Sequence, residues 1–477
     1  MTFLPHTVPA PRRRGGRSRC LLAAVLACGV LGTPPLRAQM RPVAIQDATL
    51  LVGTGQTIEH GTVLFGDGKI TAVGQDVKPS FLARKIAGQG KYVTPGLIDA
   101  GSALGLRFQS GANAATAQAA DAFDRYAEDD IRAAWRDGVT AVCLPARTGS
   151  GVGGVGAVLR LLPRGDSADL VLKKEVALCA GLGLDGRPGP LARVRIAEDL
   201  RRRFQLAKEY REAWDDYADS LKEYEEKLAE RAKKEAAGKE KPTTNQAAGD
   251  KKPGEQKSPE EAKGDKKDEQ KDELKKPAEP AKDRNAEMLL RVLDGGLRLW
   301  VEVHDPAEIA NVLDLAEQYN VALIVEGATG AHLLAARLAR MQVPVVLSEP
   351  PTPLAYLAGP ERYARPDDVA ILQKAGVQVY FGSGRLDSPT ASPQLAVRAA
   401  RAVGYGLDAN AALLAMTGGA ARLLGVDKEI GRLESGLQAD LVVWSDHPLA
   451  PNAQVERVFV GGHEVFRADG HEPEGEE

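Results

Sequence analysis

Few side chains in this sequence are placed to do chemistry. Of seven histidines, only His304 closes a long apolar run, Leu299-Trp-Val-Glu-Val-His304, and Glu326 sits near the end of another, Leu323-Ile-Val-Glu-Gly327. An imidazole or a carboxylate at the end of a buried run can ligate a cation or move a proton. Ser383, His304 and Asp387 supply the residue types of a serine hydrolase triad, but no Gly-x-Ser-x-Gly elbow surrounds Ser383. Asp387 stands two residues before Pro389, a place suited to capping a helix. Gly151-Val-Gly-Gly-Val-Gly156 has the glycine spacing of a dinucleotide loop, yet the apolar run to Leu162 leaves no helix start to receive a phosphate. That segment therefore reads as a flexible loop. Cys143 and Cys179 lie in apolar runs and read as buried free thiols, not nucleophiles.

The elements that must hold these groups follow from periodicity. From Pro42 to Val93, short alternating stretches such as Thr62-Val-Leu-Phe65 and Lys69-Ile-Thr-Ala-Val73 are separated by glycine-rich turns, which predicts half-buried antiparallel strands. Buried runs then alternate with helical segments. These runs are Gly96 to Ala103, Val139 to Leu144, Gly156 to Leu162, Val176 to Gly183, Leu297 to His304, Val321 to Glu326, Val343 to Leu347 and Val377 to Ser383. Eight of them predict an α/β fold, a (β/α)8 TIM barrel over 96–429. Strand-like alternation returns at Ile430 to Trp444 and at Val455 to Val465. A few strands alone make no stable core, so residues 41–95 and 430–468 are expected to combine in a small composite β-sandwich.

Three segments in order, Gly66-Asp-Gly-Lys-Ile-Thr-Ala-Val-Gly74, Thr94-Pro-Gly-Leu-Ile-Asp99, and Thr417-Gly-Gly-Ala-Ala-Arg-Leu-Leu-Gly-Val426 with Ile430 to Val443, resemble the amidohydrolase superfamily and within it imidazolonepropionase-like members. The resemblance implies a metal-dependent hydrolase of non-peptide carbon-nitrogen bonds. It also implies a ligand set: His-x-His after the first strand, a lysine or acid at the fourth, histidines at the fifth and sixth, and an aspartate at the eighth. Here Gly101 and Ala103 stand at the His-x-His positions, and neither offers a lone pair. His304 matches the fifth-strand histidine, Glu326 occupies the place of the sixth, and Gly384 stands where the aspartate belongs, with Asp387 three residues on. No lysine ends the fourth run; Lys173 and Lys174 precede it. The resemblance thus implies the fold, while the ligand set implies a catalytically inactive member with a binding or scaffold role and no cofactor. The alternative is a hydrolase of a cyclic amide, small amide or dipeptide with a rearranged site, in which His304 and Glu326 are the candidate ligands of zinc, iron or manganese and Asp387 is the candidate catalytic residue.

With 62 basic and 65 acidic residues the net charge is -3, so composition points to neither nucleic acid nor an anionic membrane. Five arginines between Arg12 and Arg19, the apolar run Cys20 to Leu31 and small residues near Ala38 have the layout of a signal peptide over 1–38, too short in its apolar part for a transmembrane segment. The chain is therefore expected to be exported, periplasmic or secreted, with lipid anchoring at Cys28 as the alternative. Between 200 and 289 lies an insert. Tyr210, Trp214, Tyr217, Leu221, Tyr224 and Leu228 share one face of a predicted helix, which packs on the protein itself or, alternatively, on a protein partner or second copy. The stretch from Glu235 to Lys282 reads as a charged, disordered loop, and residues 469–477 as a polar tail.

Overall fold

A computed structural model describes residues 41–106, 115–148, 150–162, 167–182, 190–238, 274–348, 363–384 and 393–468. The leader, Asp387, most of the charged loop (239–273) and the tail lie outside the described residues.

The first strands, Val43–Leu51, Thr57–Gly66 and Lys69–Gly74, form an antiparallel meander. Its second hairpin turns on Asp67 and Gly68, both at positive φ (49° and 80°), the backbone that a two-residue hairpin loop requires. Strand Tyr92–Pro95 runs parallel to Val43–Leu51 and antiparallel to Leu441–Trp444, beyond which lie Val455–Val460 and His463–Arg467. Segments from both ends of the chain thus share one eight-stranded sheet. Ile45, Leu50, Val63 and Phe65 pack with Leu441 and Phe459 on one face, and the Phe65 and Phe459 rings meet edge to face at 5.1 Å.

At Gly96 the chain leaves this sheet and enters a second one. A Cβ there would lie 1.9 Å from Thr140 Oγ1, so only glycine lets the Pro95-Gly96 step pass against the next strand. Strand Leu97–Asp99 belongs to a four-stranded sheet with Val139–Leu144, Ala157–Arg160 and Val171–Lys173. A six-stranded sheet holds, in order, Val379–Phe381, Val345–Leu347, Leu323–Gly327, Arg298–Val303, Ala177–Leu182 and Ser150–Val155. Ala100 N donates to Phe381 O (3.0 Å) and Gly384 N to Gly101 O (2.8 Å), joining these sheets at one edge. At the other edge Ser150–Val155 continues into Ala157–Arg160 through Gly156. Alternate residues of strands from both sheets, among them Ile98, Ala141, Cys179, Trp300, Ile324, Val346 and Tyr380, share one buried cluster. Their neighbours, such as Leu97, Val142, Leu178, Leu299 and Val325, pack in another with the helices. Burial on both faces is why these strands read as continuous apolar runs. Between them, helix Pro306–Tyr319 has Asp305 accepting from Ala307 N, proline in its first turn and Asn320 in the left-handed region at its end, so its boundaries are written in the sequence.

Three expectations need correction. The Gly151–Gly156 segment is not a loop: Ser150–Val155 pairs antiparallel with Ala177–Leu182. Its glycines allow close packing, since a Cβ at Gly153 or Gly154 would come within 2.5 and 2.4 Å of the Ala146 and Ala117 carbonyl oxygens. The run from Gly156 to Leu162 follows Val139–Leu144 with no crossover helix, and Ala157–Arg160 runs antiparallel to it. Ser150–Val155 and Ala157–Arg160 follow one another across Gly156 alone, so only residues 145–149 precede this extended segment, too few for a parallel return, which takes about a dozen or more. Finally, the inserted helix spans Pro190–Gly238, starting before Leu200 and continuing into the charged block, because lysine, glutamate and alanine favour helix when no glycine or proline intervenes.

That helix docks by its first half. Leu200, Phe204 and Ala207 are buried, Phe204 stacks on Tyr319 at 5.1 Å, and Arg211 pairs with Asp294 beside helix Arg284–Leu293. Trp214 meets Tyr210 and Tyr217 edge to face along the predicted stripe. Among the described residues, no helix is long and apolar enough to cross a membrane.

A buried pair ties the sheets together. Arg160 donates to both carboxylate oxygens of Asp440 (3.1 and 2.6 Å), and Asp440 also accepts from Gly461 N at 2.7 Å. Arg160→Ala is expected to lower unfolding free energy by about 3–5 kcal/mol, since it leaves a buried carboxylate uncompensated. Lys91→Ala, which breaks the part-exposed pair with Glu456, is expected to lower it by less than about 1 kcal/mol. Urea denaturation of the two variants checks the contrast.

Candidate functional site

The candidate site lies at the C-terminal ends of the strands, where the inward face turns polar. In Arg298–Val303 and the residue after it, the inward series Trp300, Glu302, His304 climbs from the core, and Glu302 stands opposite Glu326 in Leu323–Gly327. Both carboxylates are buried, Glu326 completely. Their counter-ion comes from the turn after Val139–Leu144. Arg147, its side chain 1% exposed, donates from Nε to Glu326 Oε2 at 3.0 Å and from Nη2 to Glu326 Oε1. Its Nε is also 3.7 Å from Glu302 Oε2, and Nη1 donates to the Ser102 carbonyl oxygen at 2.8 Å. The Trp300 indole N–H gives Glu326 a further hydrogen bond at 2.7 Å. Burial works against the Arg147 charge, but the Glu326 and Glu302 carboxylates outweigh it and hold its pKa above the usual range.

Beside this cluster sits a second network. Asp99, wholly buried, accepts from Ser383 N (2.9 Å), Ser383 Oγ (2.5 Å) and Gly101 N (3.2 Å), and Ser383 Oγ lies 2.9 Å from Ser102 Oγ. Burial raises the Asp99 pKa, with the Ser383, Ser102 and Gly101 hydrogen bonds opposing the rise. Ser383 therefore serves Asp99. Burial likewise pushes the Cys179 thiol up to about 12 and raises Cys143 well above its usual value, so neither is a nucleophile at neutral pH.

Of the residues singled out from sequence, His304 and Glu326 stand on neighbouring strands, and Asp387 lies outside the described residues. His304 is buried, with Nδ1 2.8 Å from Thr329 Oγ1 and its ring against the Gly327 backbone. Lys173 turns away to the Leu424 carbonyl at 3.0 Å. Ideal side-chain growth at Gly101 would put Cβ 2.9 Å from Glu326 Oε1 and 3.2 Å from Val346 Cγ1. Among the described residues, those at this site do not fit a divalent metal. The first-strand positions carry no donor, their space is taken by Glu326 and Val346, and the two nearby carboxylates face a guanidinium. Among the described residues, no group of three or more His, Cys, Asp or Glu is placed to hold a metal ion.

Arg147, Glu302, Trp300 and Ser102 were not identified from sequence. Glu302 carried a signal: an acid within an apolar strand requires a buried cation. The sequence does not say which of 62 basic residues supplies it.

Comparison with known proteins places this geometry. The model of the amidohydrolase family matches residues 192–465. Amidohydrolase tasK of Hapsidospora irregularis is 35% identical over 81 residues, 17% of this chain and 8% of that protein, so the chain spans only a small part of that relative. A solved amidohydrolase from Thermotoga maritima superposes with a TM-score of 0.63 at 26% identity, covering 89% of this chain and 100% of that one.

Two substitutions test the site's packing and charge. Gly101→His is expected to destabilise the fold by about 1–3 kcal/mol through overpacking, read by denaturant titration. For Asp99 the raised folded pKa means the native state holds this proton more tightly than the unfolded chain. Its contribution is therefore most favourable below the unfolded pKa of about 3.9 and declines as pH rises through the raised value. Asp99→Asn is expected to lose less stability than the wild type between pH 4 and pH 7, as measured by urea midpoints across that range.

Proposed function

We propose that this chain, which belongs to the amidohydrolase family, is an exported member that has given up metal-dependent hydrolysis and acts as a binding or scaffold protein. In this reading the two inner sheets close into an eight-stave (β/α)8-type barrel spanning 96–429, with one stave reversed. The sheet built from 41–95 and 430–468 forms the composite second domain. The helical arm Pro190–Gly238 and the loops at the strand ends would then present surfaces to a protein or small-molecule partner, with a second copy of the chain as one such partner through the arm.

The observation that carries the loss of hydrolysis is at Gly101. Metal-assisted hydrolysis needs a cation that lowers the pKa of a bound water and a base that moves its proton. The first-strand donors are replaced by glycine and alanine, and Glu326 Oε1 borders the volume a residue-101 side chain would enter. Glu326, which occupies the place of the sixth-strand histidine, already receives hydrogen bonds from Arg147 and Trp300. The leader's basic, apolar and small-residue order supports export.

The test is metal content. After dialysis of the full chain against zinc, iron or manganese, elemental mass spectrometry is expected to find less than about a tenth of an equivalent, background for a protein with no formed site. Lactams, small amides and dipeptides are expected to remain intact. A stoichiometric metal lost on His304→Ala, with turnover of any of these, would overturn the reading in favour of a rearranged hydrolase.

A further inference from the structure

We infer that the turn at 80–83 is a membrane-docking tip, in which Phe81 and Leu82 enter the interface of an anionic bilayer while Lys78 and Lys85 bind lipid phosphates. The inference rests on the proposed function only for export, which brings the chain to a bilayer surface. Ala83 N donates to Ser80 O at 3.2 Å, so Phe81 and Leu82 occupy the two corner positions of a four-residue turn. Such corners ordinarily take glycine, proline, asparagine, aspartate or serine. Here they carry two large apolar side chains, 90% and 62% exposed, and Phe81 is the most exposed large apolar residue among those described. Single exposed apolar residues need no explanation. An adjacent pair raised on a turn keeps its apolar surface in water until something covers it.

The turn is firmly seated. Ala83 is buried, and Arg84 N donates to Pro42 O at 2.8 Å where strand Arg84–Ala87 begins its parallel pairing with Val43–Leu51. The tip therefore projects from hydrogen-bonded backbone, which reduces the ordering cost that a loose loop meets on docking. Its flanks are basic. Lys78 and Lys85 are exposed, and neither has an ion pair among the described residues. Arg84 shares Glu464 with Arg457 and Arg467, so one carboxylate answers three guanidiniums. Asp76 is the one acid in 75–87. An apolar point flanked by cations matches hydrocarbon lying beneath phosphates. A protein groove would need only the apolar pair, and the flanking cations favour lipid. The preceding chain points the same way: Pro42, bonded beside the tip, closely follows in sequence the leader whose apolar run, or lipid at Cys28, is expected to meet a membrane. The net charge of -3 gives the whole chain no general attraction to an anionic surface, so docking is local to this tip.

The experiment uses the chain from Gln39, the mature form under the proposed export, which keeps the compact unit Arg41–Glu477 whole. Co-sedimentation with phosphatidylcholine vesicles, pure or with about a third phosphatidylglycerol, is measured for the wild type, Phe81→Ser/Leu82→Ser and Lys78→Gln/Lys85→Gln, each checked for an unchanged melting temperature. The expected result is wild-type binding to the anionic vesicles, weakened on the order of tenfold in either double variant and weak on phosphatidylcholine alone. Phe81→Trp is expected to blue-shift its emission on the anionic vesicles, as a ring entering the interface does and surface charge alone does not. No wild-type binding, binding unweakened in either double variant, or unshifted Phe81→Trp emission overturns the inference. A wild-type dimer that ignores vesicles and becomes monomeric in Phe81→Ser/Leu82→Ser also overturns it, by giving the tip to a second copy. Because the vesicles are supplied to purified protein, these failures leave the proposed loss of hydrolysis and export standing; those are read separately, by metal content and by fractionation of expressing cells.

Discussion

The arrangement of the strand ends depends on how two buried carboxylates are neutralised. Removing an ionised carboxylate from water costs several kcal/mol even after relaxation, and Glu302 and Glu326 are register partners, so their charges add. Arg147 answers both while tethering the Ser102 carbonyl, so one guanidinium links the ends of the first, second, fifth and sixth inner strands. An ion pair of this kind adds little net stability over a well-packed apolar core. Its effect is to specify which side chains meet and to keep either acid from standing alone.

The same logic recurs below, with different consequences. Arg160 and Asp440 form a buried two-point pair that also captures Gly461 N. It lies where an inner strand meets the sheet shared by the two ends of the chain. One arginine therefore organises the polar mouth, and another fixes the seam between sheets. Gly96 complements them sterically, since the chain crosses from one sheet to the other at a point where Thr140 leaves no room for a Cβ. Charge sets the contacts at two places, and the absence of a side chain sets the third.

Much of this architecture was legible in the sequence because period-two alternation and continuous apolar runs report burial on one face or on both. The eight runs named from sequence all contain strands. What escaped was direction and pairing. Gly151–Gly156 resembles a loop by composition, and its strand state follows only from its pairing with Ala177–Leu182, a segment distant from it in composition and pattern. The reversal of Ala157–Arg160 followed only once Ser150–Val155 proved to be a strand, which leaves residues 145–149 as the turn. At the site, His304 and Glu326 were recognisable by position, whereas Arg147 follows Pro145 and Ala146 in a turn and acquires meaning only when the fold brings it beside two acids from distant segments.

The sheet shared by both chain ends has a consequence for the order of events during folding. Tyr92–Pro95 has Val43–Leu51 on one edge, available early, and Leu441–Trp444 on the other, available only after nearly the whole chain has been made. Until then the early meander carries an open edge and an uncovered apolar face, with Phe65 waiting for Phe459. Long-range closure of this kind is slow relative to local hairpins. The sheet that holds Val43–Leu51 is thus complete only when Leu441–Trp444, nearly four hundred residues later, has joined it.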